Sequence, residues 1–131
     1  MKSVGIVLVS HSREIVLGLQ KLLHQLQPNV PIAIAGGMDD GSLGTNALDI
    51  QKAIESVYSE QGVVVFIDLG SARINAEMAI EMLENQNNVV IADAPLVEGA
   101  FVAAVEAGCG RGLHEVVEAS EKAKTMKKLQ T

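Results

Sequence analysis

The sequence predicts an α/β fold, a doubly wound parallel four-stranded sheet of order 2-1-3-4 with helices on both faces, and three observations predict it. Two continuous apolar runs, Gly5-Ile6-Val7-Leu8-Val9 and Val63-Val64-Val65-Phe66-Ile67, have the length and β-branched content of strands buried on both faces. Each run is followed by helical periodicity, and alternating strands and helices imply parallel strands joined by right-handed crossovers. Polar residues suited to chemistry close both runs, Ser10-His11-Ser12 the first and Asp68-Leu69-Gly70-Ser71 the second. In the order 2-1-3-4 these strands are neighbours and the chain reverses direction between them. His11 and Asp68 then converge in the crevice where such sheets bind ligands.

The elements follow in turn. Ser12 is the expected N-cap of a first helix in which Ile15, Leu19, Leu22, Leu23 and Leu26 recur at helical spacing up to Pro28. Residues 30–35 read as the second strand, with Pro31 near its start and Gly36-Gly37 at its end. Residues 38–46 form a polar, glycine-rich loop, long enough to cover a site. Thr45 or Asn46 caps the next helix, whose inward face is Ile50, Ile54 and Val57, and Gly62 ends it. After the third strand a helix turns Ala76, Ala79, Ile80 and Leu83 inward and leaves through residues 85–88. Val89-Val90-Ile91 is the fourth strand, ending in Asp93-Ala94-Pro95. Two last helices, residues 97–107 and 113 to about 126, are separated by Gly108-Cys109-Gly110-Arg111-Gly112, read as a helix stop and tight turn. Lys122, Lys124, Lys127 and Lys128 are expected to complement the negative end of the last helix dipole.

Composition narrows the function classes. The 131 residues fit a single domain, 1–131, large enough to bury a core without staples. A net charge of −6 disfavours a polyphosphate partner, and 2% aromatic residues leave almost no surface on which bases stack, so nucleic-acid binding is not expected. One cysteine excludes an internal disulfide framework and suits a reducing compartment. No signal-like start and no apolar run near the roughly 18 residues of a membrane span is visible. The expectation is a cytoplasmic chain with no membrane contact.

His11 is the residue to explain. An imidazole at the end of a central strand can act as base, metal ligand or nucleophile, while the plainest alternative is a histidine with only local hydrogen bonds. A metal needs converging ligands; His24 and His114 fall inside helices and Cys109 lies far along the chain, so no metal is expected. Asp68 is the natural partner, because a carboxylate on one ring nitrogen fixes the tautomer and leaves the other nitrogen free; its plain alternative is a turn or cap residue. Residues 12–14 and 71–73 open helices, and two helix starts aimed at one point make an anion site to which Arg73 can add a guanidinium. That chemistry points to a phosphoryl group. Gly36, Gly37, Gly41 and Gly44 can bring backbone donors near it, and Thr45 a hydroxyl. Neither a Walker A sequence nor a Gly-x-Gly-x-x-Gly fingerprint is present. Asp39 and Asp40 read most simply as solvated turn residues.

Together, Val9-Ser10-His11-Ser12, the Gly36-Gly37 loop through Gly44-Thr45, and Asp68-Leu69-Gly70-Ser71-Ala72 resemble the phosphotransferase subunits of bacterial phosphoenolpyruvate-dependent dihydroxyacetone kinases. These are similar to the mannose-type IIA proteins of the sugar phosphotransferase system, and the resemblance runs nearly end to end. It implies a homodimeric carrier phosphorylated on His11, with Asp68 supporting the histidine and Ser12, Gly37, Thr45 and Ser71 around the phosphoryl group. It also implies the phosphocarrier HPr, as a separate protein, for donor. The implied acceptor is ADP on the nucleotide-binding kinase subunit, which leaves nucleotide and Mg on that partner and no cofactor on this chain. Gly70-Ser71-Ala72 favours the kinase branch over a mannose-type sugar IIA component. Other readings of the fold are weaker. A receiver domain phosphorylated on Asp68 would need an acidic pair where Ser10-His11 stand, a flavin-binding module would need aromatics, and a hydrolase would need a nucleophile elbow.

Overall fold

The structure, a computed structural model, describes residues 2–129; Met1 and residues 130–131 of the expected 1–131 domain lie outside the described residues. The elements run β1 Gly5–Ser10, α1 Arg13–Leu26, β2 Ile32–Gly36, α2 Ala47–Val57, β3 Val63–Ile67, α3 Arg73–Glu81, β4 Val89–Ile91, α4 Leu96–Gly108 and α5 Leu113–Glu121. A 3-10 turn, Gly70–Ala72, leads into α3 and another, Lys122–Thr125, follows α5. The four strands are all parallel in the order β2-β1-β3-β4, as expected. Leu8 pairs with Phe66 and Val9 with Ile67, so β1 and β3 end side by side and their loops emerge together.

The period of two along each strand sorts the core into two layers. Ile6, Leu8, Val64 and Phe66 point to the face covered by α1, α4 and α5. Val7, Val9, Val63 and Val65 point to the face covered by α2 and α3. All eight are fully buried, and each contributes about 1.5–3 kcal/mol of apolar burial. Gly5 is where the sheet admits a helix most closely, since a Cβ there would lie 2.6 Å from the Val57 carbonyl oxygen.

Three expectations need correction. The inward face of α1 is Val16, Leu19 and Leu23; Ile15, Leu22 and Leu26 remain about half exposed, because its apolar arc is wider than the sheet can cover. The second strand begins at Ile32 rather than residue 30, because pairing starts where the Ile6 N–H meets the Pro31 carbonyl. The last helix stops at Glu121 and tightens into a 3-10 turn that buries Ala123. Two of the four lysines expected there also have tertiary partners, Lys124 pairing with Asp93 at 3.1 Å and Lys128 with Glu98 at 2.7 Å. The 108–112 stretch is the expected turn, with Gly110 at φ +83° and Cys109 exposed.

Candidate active site

The carboxyl ends of β1 and β3 deliver the site. Ser10 closes β1 with its side chain fully buried, and β3 runs one residue further to Asp68, whose N–H still donates to Val9 as if the ladder continued. Asp68 is therefore held by its backbone before its side chain does anything. Its Oδ2 accepts the Ser10 hydroxyl at 2.9 Å and the His11 backbone N–H at 3.0 Å, and its Oδ1 accepts the Leu69 N–H at 2.7 Å. His11 Nδ1 lies 3.1 and 3.2 Å from the two oxygens. Burial works against the charge of Asp68, but the His11 backbone N–H, the His11 ring, the Ser10 hydroxyl and the Leu69 N–H together outweigh it. Its pKa lies below the ordinary carboxylate value.

An ionised carboxylate only accepts, so Nδ1 carries the proton of the neutral imidazole and the lone pair sits on Nε2. The Ser71 Oγ lies 3.1 Å from that nitrogen and donates to it. The His11 side chain is 28% exposed against 14% for Asp68, so the ring is anchored on its inner edge and open on its outer one. A groove of about 1000 Å³ between α3 and the edge strand β4 is lined by Asp68, Leu69 and Gly70 but not by His11. The reactive nitrogen thus lies on a rim, not at the bottom of a small-molecule cavity.

The 37–46 loop reaches the site through the backbone of the histidine. The Gly44 N–H donates to the His11 carbonyl at 2.8 Å, the Gly37 N–H to Gly44 at 3.0 Å and the Gly41 N–H to Met38 at 2.9 Å. The N–H groups of Gly37, Gly41 and Gly44, which the sequence offered to an anion, are therefore spent within the loop and on the His11 backbone. Gly37 is at φ +73°, and a Cβ there would lie 3.2 Å from that of Arg13, so its contribution is backbone shape. Asp40 closes the loop tip by accepting the Ser42 N–H and hydroxyl, and Asp39 is exposed. Asn46 rather than Thr45 caps α2, accepting the Leu48 and Asp49 N–H groups.

The remaining sequence candidates divide. Ser12 caps α1 through its hydroxyl, which accepts from Ile15 and donates to Glu14. Arg73 is exposed and its Nε donates to Glu77 at 3.1 Å, one turn along α3; no hydrogen bond joins it to His11, Asp68 or Ser71. His24 is half-buried within α1 and His114 is exposed on α5, each apart from the site elements. Among the described residues, no three His, Cys, Asp or Glu side chains gather as a metal site. Of two further members of the site, the sequence showed Ser10 only as a polar residue closing a strand, with no role, and did not show Asn75. Ser10 both donates to Asp68 and accepts the Ser12 N–H at 3.0 Å. Asn75 donates to the Thr45 hydroxyl at 2.7 Å and to its carbonyl at 3.2 Å. The available signal for Ser10 was a hydroxyl ending a buried strand, and for Asn75 an amide four residues beyond Ser71.

Comparison with known proteins bears on this geometry. The family model EIIA-man, described as PTS system fructose IIA component, matches residues 5–119. The chain belongs to that family. Among EIIA-man relatives, the phosphoryl donor subunit DhaM of the PEP-dependent dihydroxyacetone kinase 2 of Listeria innocua is 45% identical over 106 residues, covering 79% of this chain and 85% of that one. The phosphotransferase subunit DhaM of the PTS-dependent dihydroxyacetone kinase of Lactococcus lactis is 36% identical over 118 residues, 90% of this chain and 94% of that one. A crystal structure of a protein of unknown function superposes with a TM-score of 0.86 at 36% identity, over 99% of this chain and 100% of the other. Within EIIA-man the chain thus groups with the DhaM subunits, as the Asp68-Leu69-Gly70-Ser71-Ala72 stretch implied. No helix among the described residues is long and apolar enough to cross a membrane.

Proposed function

We propose that residues 1–131 are one phosphocarrier domain in which His11 takes a phosphoryl group from phospho-HPr and passes it to ADP on the nucleotide-binding subunit of a dihydroxyacetone kinase. The observation that carries this reading is the grip of Asp68 on Nδ1 with Nε2 turned to the open rim. It gives one defined nucleophile, already in the required tautomer. In the transfer step the N–P bond of the donor histidine breaks, its imidazole leaving with the electron pair, and the Nε2 lone pair of His11 forms the new N–P bond. The Nδ1 proton stays in place, and the positive charge that develops on the ring is met by Asp68 at 3.1 Å. Phosphoryl transfer through a loose transition state needs position and charge more than bond chemistry, which is what these residues supply.

Around the phosphoryl group, Ser71 swings its hydroxyl from Nε2 to a phosphoryl oxygen, and the first N–H groups of α1 and of the turn into α3 face the added charge. Thr45 donates its hydroxyl, while Ser12 and Gly37 act through helix cap and loop shape. Arg73 joins only by leaving Glu77, and the loss of such an exposed pair costs about 0–1 kcal/mol. Asp68, with both oxygens occupied, serves as orienter rather than as phosphoryl acceptor. Exposed Ile15, Leu43, Leu69 and Ile74 stand on the four chain segments around the histidine and suit a protein donor and acceptor. Nucleotide and Mg then reside on the kinase subunit. The working form is a cytoplasmic homodimer.

The test incubates the protein with labelled phosphoenolpyruvate, enzyme I and HPr, with and without the ADP-loaded kinase subunit. Acid-labile, alkali-stable label on the wild type and none on His11→Ala is the expected result. Label persisting on His11→Ala overturns the assignment, and label that never reaches ADP removes the proposed acceptor.

A further inference from the structure

Asn75 has no part in the chemistry described so far, yet it is bonded to a residue that does. Its side-chain amide donates to both oxygens of Thr45, at 2.7 Å to Oγ1 and 3.2 Å to the carbonyl. A hydroxyl that accepts from an amide keeps one proton to give, and the same amide already holds the neighbouring carbonyl. No protein acceptor takes that proton among the bonds the described residues make. The amide of Asn75 therefore takes one acceptor position of the Thr45 hydroxyl and leaves its proton for donation elsewhere.

Position makes this matter. Ser71 stands in the 3-10 turn that leads into α3 and Asn75 in the first turn of α3 itself, four residues on. Ser71 touches Nε2 of His11, and Thr45 directly follows Gly44, whose N–H holds the His11 carbonyl. Asn75 thereby joins the loop that grips the histidine backbone to the helix that touches its reactive nitrogen. It is half-buried, and its two bonds to Thr45 hold the amide across the gap between loop and helix.

We infer that Asn75 is a positioning residue for phosphoryl transfer, which directs the Thr45 hydroxyl proton at the phosphoryl group carried on His11. The inference rests on the phosphohistidine reading above. Asn75→Asp is nearly isosteric but offers only acceptor oxygens, so it reverses the bond: the Thr45 hydroxyl turns to the new carboxylate and is lost to the phosphoryl group. Asn75→Ala releases the hydroxyl to rotate.

The experiment measures single-turnover phosphorylation of the full chain by labelled phospho-HPr over a range of donor concentrations. The variants are Asn75→Ala, Asn75→Asp, Thr45→Val, Thr45→Ser, the Asn75→Ala/Thr45→Val pair, and His11→Ala as control, with urea unfolding to confirm that each is folded. Asn75→Asp and Thr45→Val should lower the limiting rate by about 10- to 100-fold, with the half-saturating donor concentration within about twofold of wild type. Thr45→Ser should lose less than about threefold, and the double variant should be no slower than Thr45→Val by more than about threefold. A role confined to holding the loop would instead raise the half-saturating concentration or make the two losses multiply. Either result, or a wild-type rate for Asn75→Asp, overturns the inference. Label on His11→Ala would overturn the phosphohistidine reading itself, a separate outcome.

Discussion

Replacing Asp68 by asparagine tests whether the site depends on a carboxylate or only on a polar side chain of that shape. The carboxylate accepts from two backbone N–H groups that cannot move, His11 on Oδ2 at 3.0 Å and Leu69 on Oδ1 at 2.7 Å, and from Ser10 and the His11 ring besides. An amide has one oxygen. If that oxygen faces Leu69, the amide N–H2 is set against the His11 N–H; if it is flipped, the clash falls on Leu69 and on Nδ1. One fixed backbone donor is orphaned either way, at about 1–3 kcal/mol, and the charge-assisted bonds lose about half their strength. A net loss of about 2–4 kcal/mol in urea unfolding follows from these terms. Function should suffer more, because the anchor of the Nδ1–H tautomer is gone and no negative charge meets the phosphorylated ring. Phosphorylation by phospho-HPr should fall by about 10²- to 10⁴-fold. A rate within about threefold of wild type at saturating donor would refute the argument, since the lone pair on Nε2 would then owe nothing to Asp68.

Other expectations follow from the same network. Ser10→Ala removes the donor to Asp68 and the acceptor of the Ser12 N–H at a fully buried position, and should cost about 1–3 kcal/mol by chemical denaturation while slowing transfer less than Asp68→Asn. An unchanged midpoint would mean that Ser10 is a spectator. Asp68 has its pKa lowered by folding, so its contribution to stability is complete above the unfolded value of about 3.9 and is lost as pH falls from there through the lower folded value. Unfolding measured between about pH 5 and pH 2 should therefore show a steeper acid loss for the wild type than for Asp68→Asn. Parallel curves would contradict the assignment.

Much of the fold was legible because its signals are local. The runs 5–9 and 63–67 are apolar without alternation, which only a strand covered on both faces tolerates, and both proved fully covered apart from Ile67. Boundaries drifted where a local rule met a tertiary one. Pro31 delayed β2, and helical spacing alone could not say that Val16 rather than Ile15 faces the sheet, since neighbouring positions differ by only about 100° of rotation. The helical reading to about residue 126 failed because Ala123 is buried by a tighter turn, which no propensity encodes.

The site divides along the same line. The sequence by itself placed His11 and Asp68 together, because each directly follows an apolar strand and the order expected for those strands makes them neighbours, as they are. It also showed, through the three stretches in order, the family to which the chain belongs. Only the tertiary structure decided how each hydrogen-bonding group is spent. Gly37 and Gly41 went to their own loop, Gly44 to the His11 carbonyl, Arg73 to Glu77, Ser10 to Asp68 across 58 residues, and Asn75 to Thr45 across 30. The physical reason is that burial and periodicity belong to a segment, whereas a hydrogen bond is set by distances and angles of a few tenths of an ångström and a few tens of degrees. Those exist only once distant segments have packed.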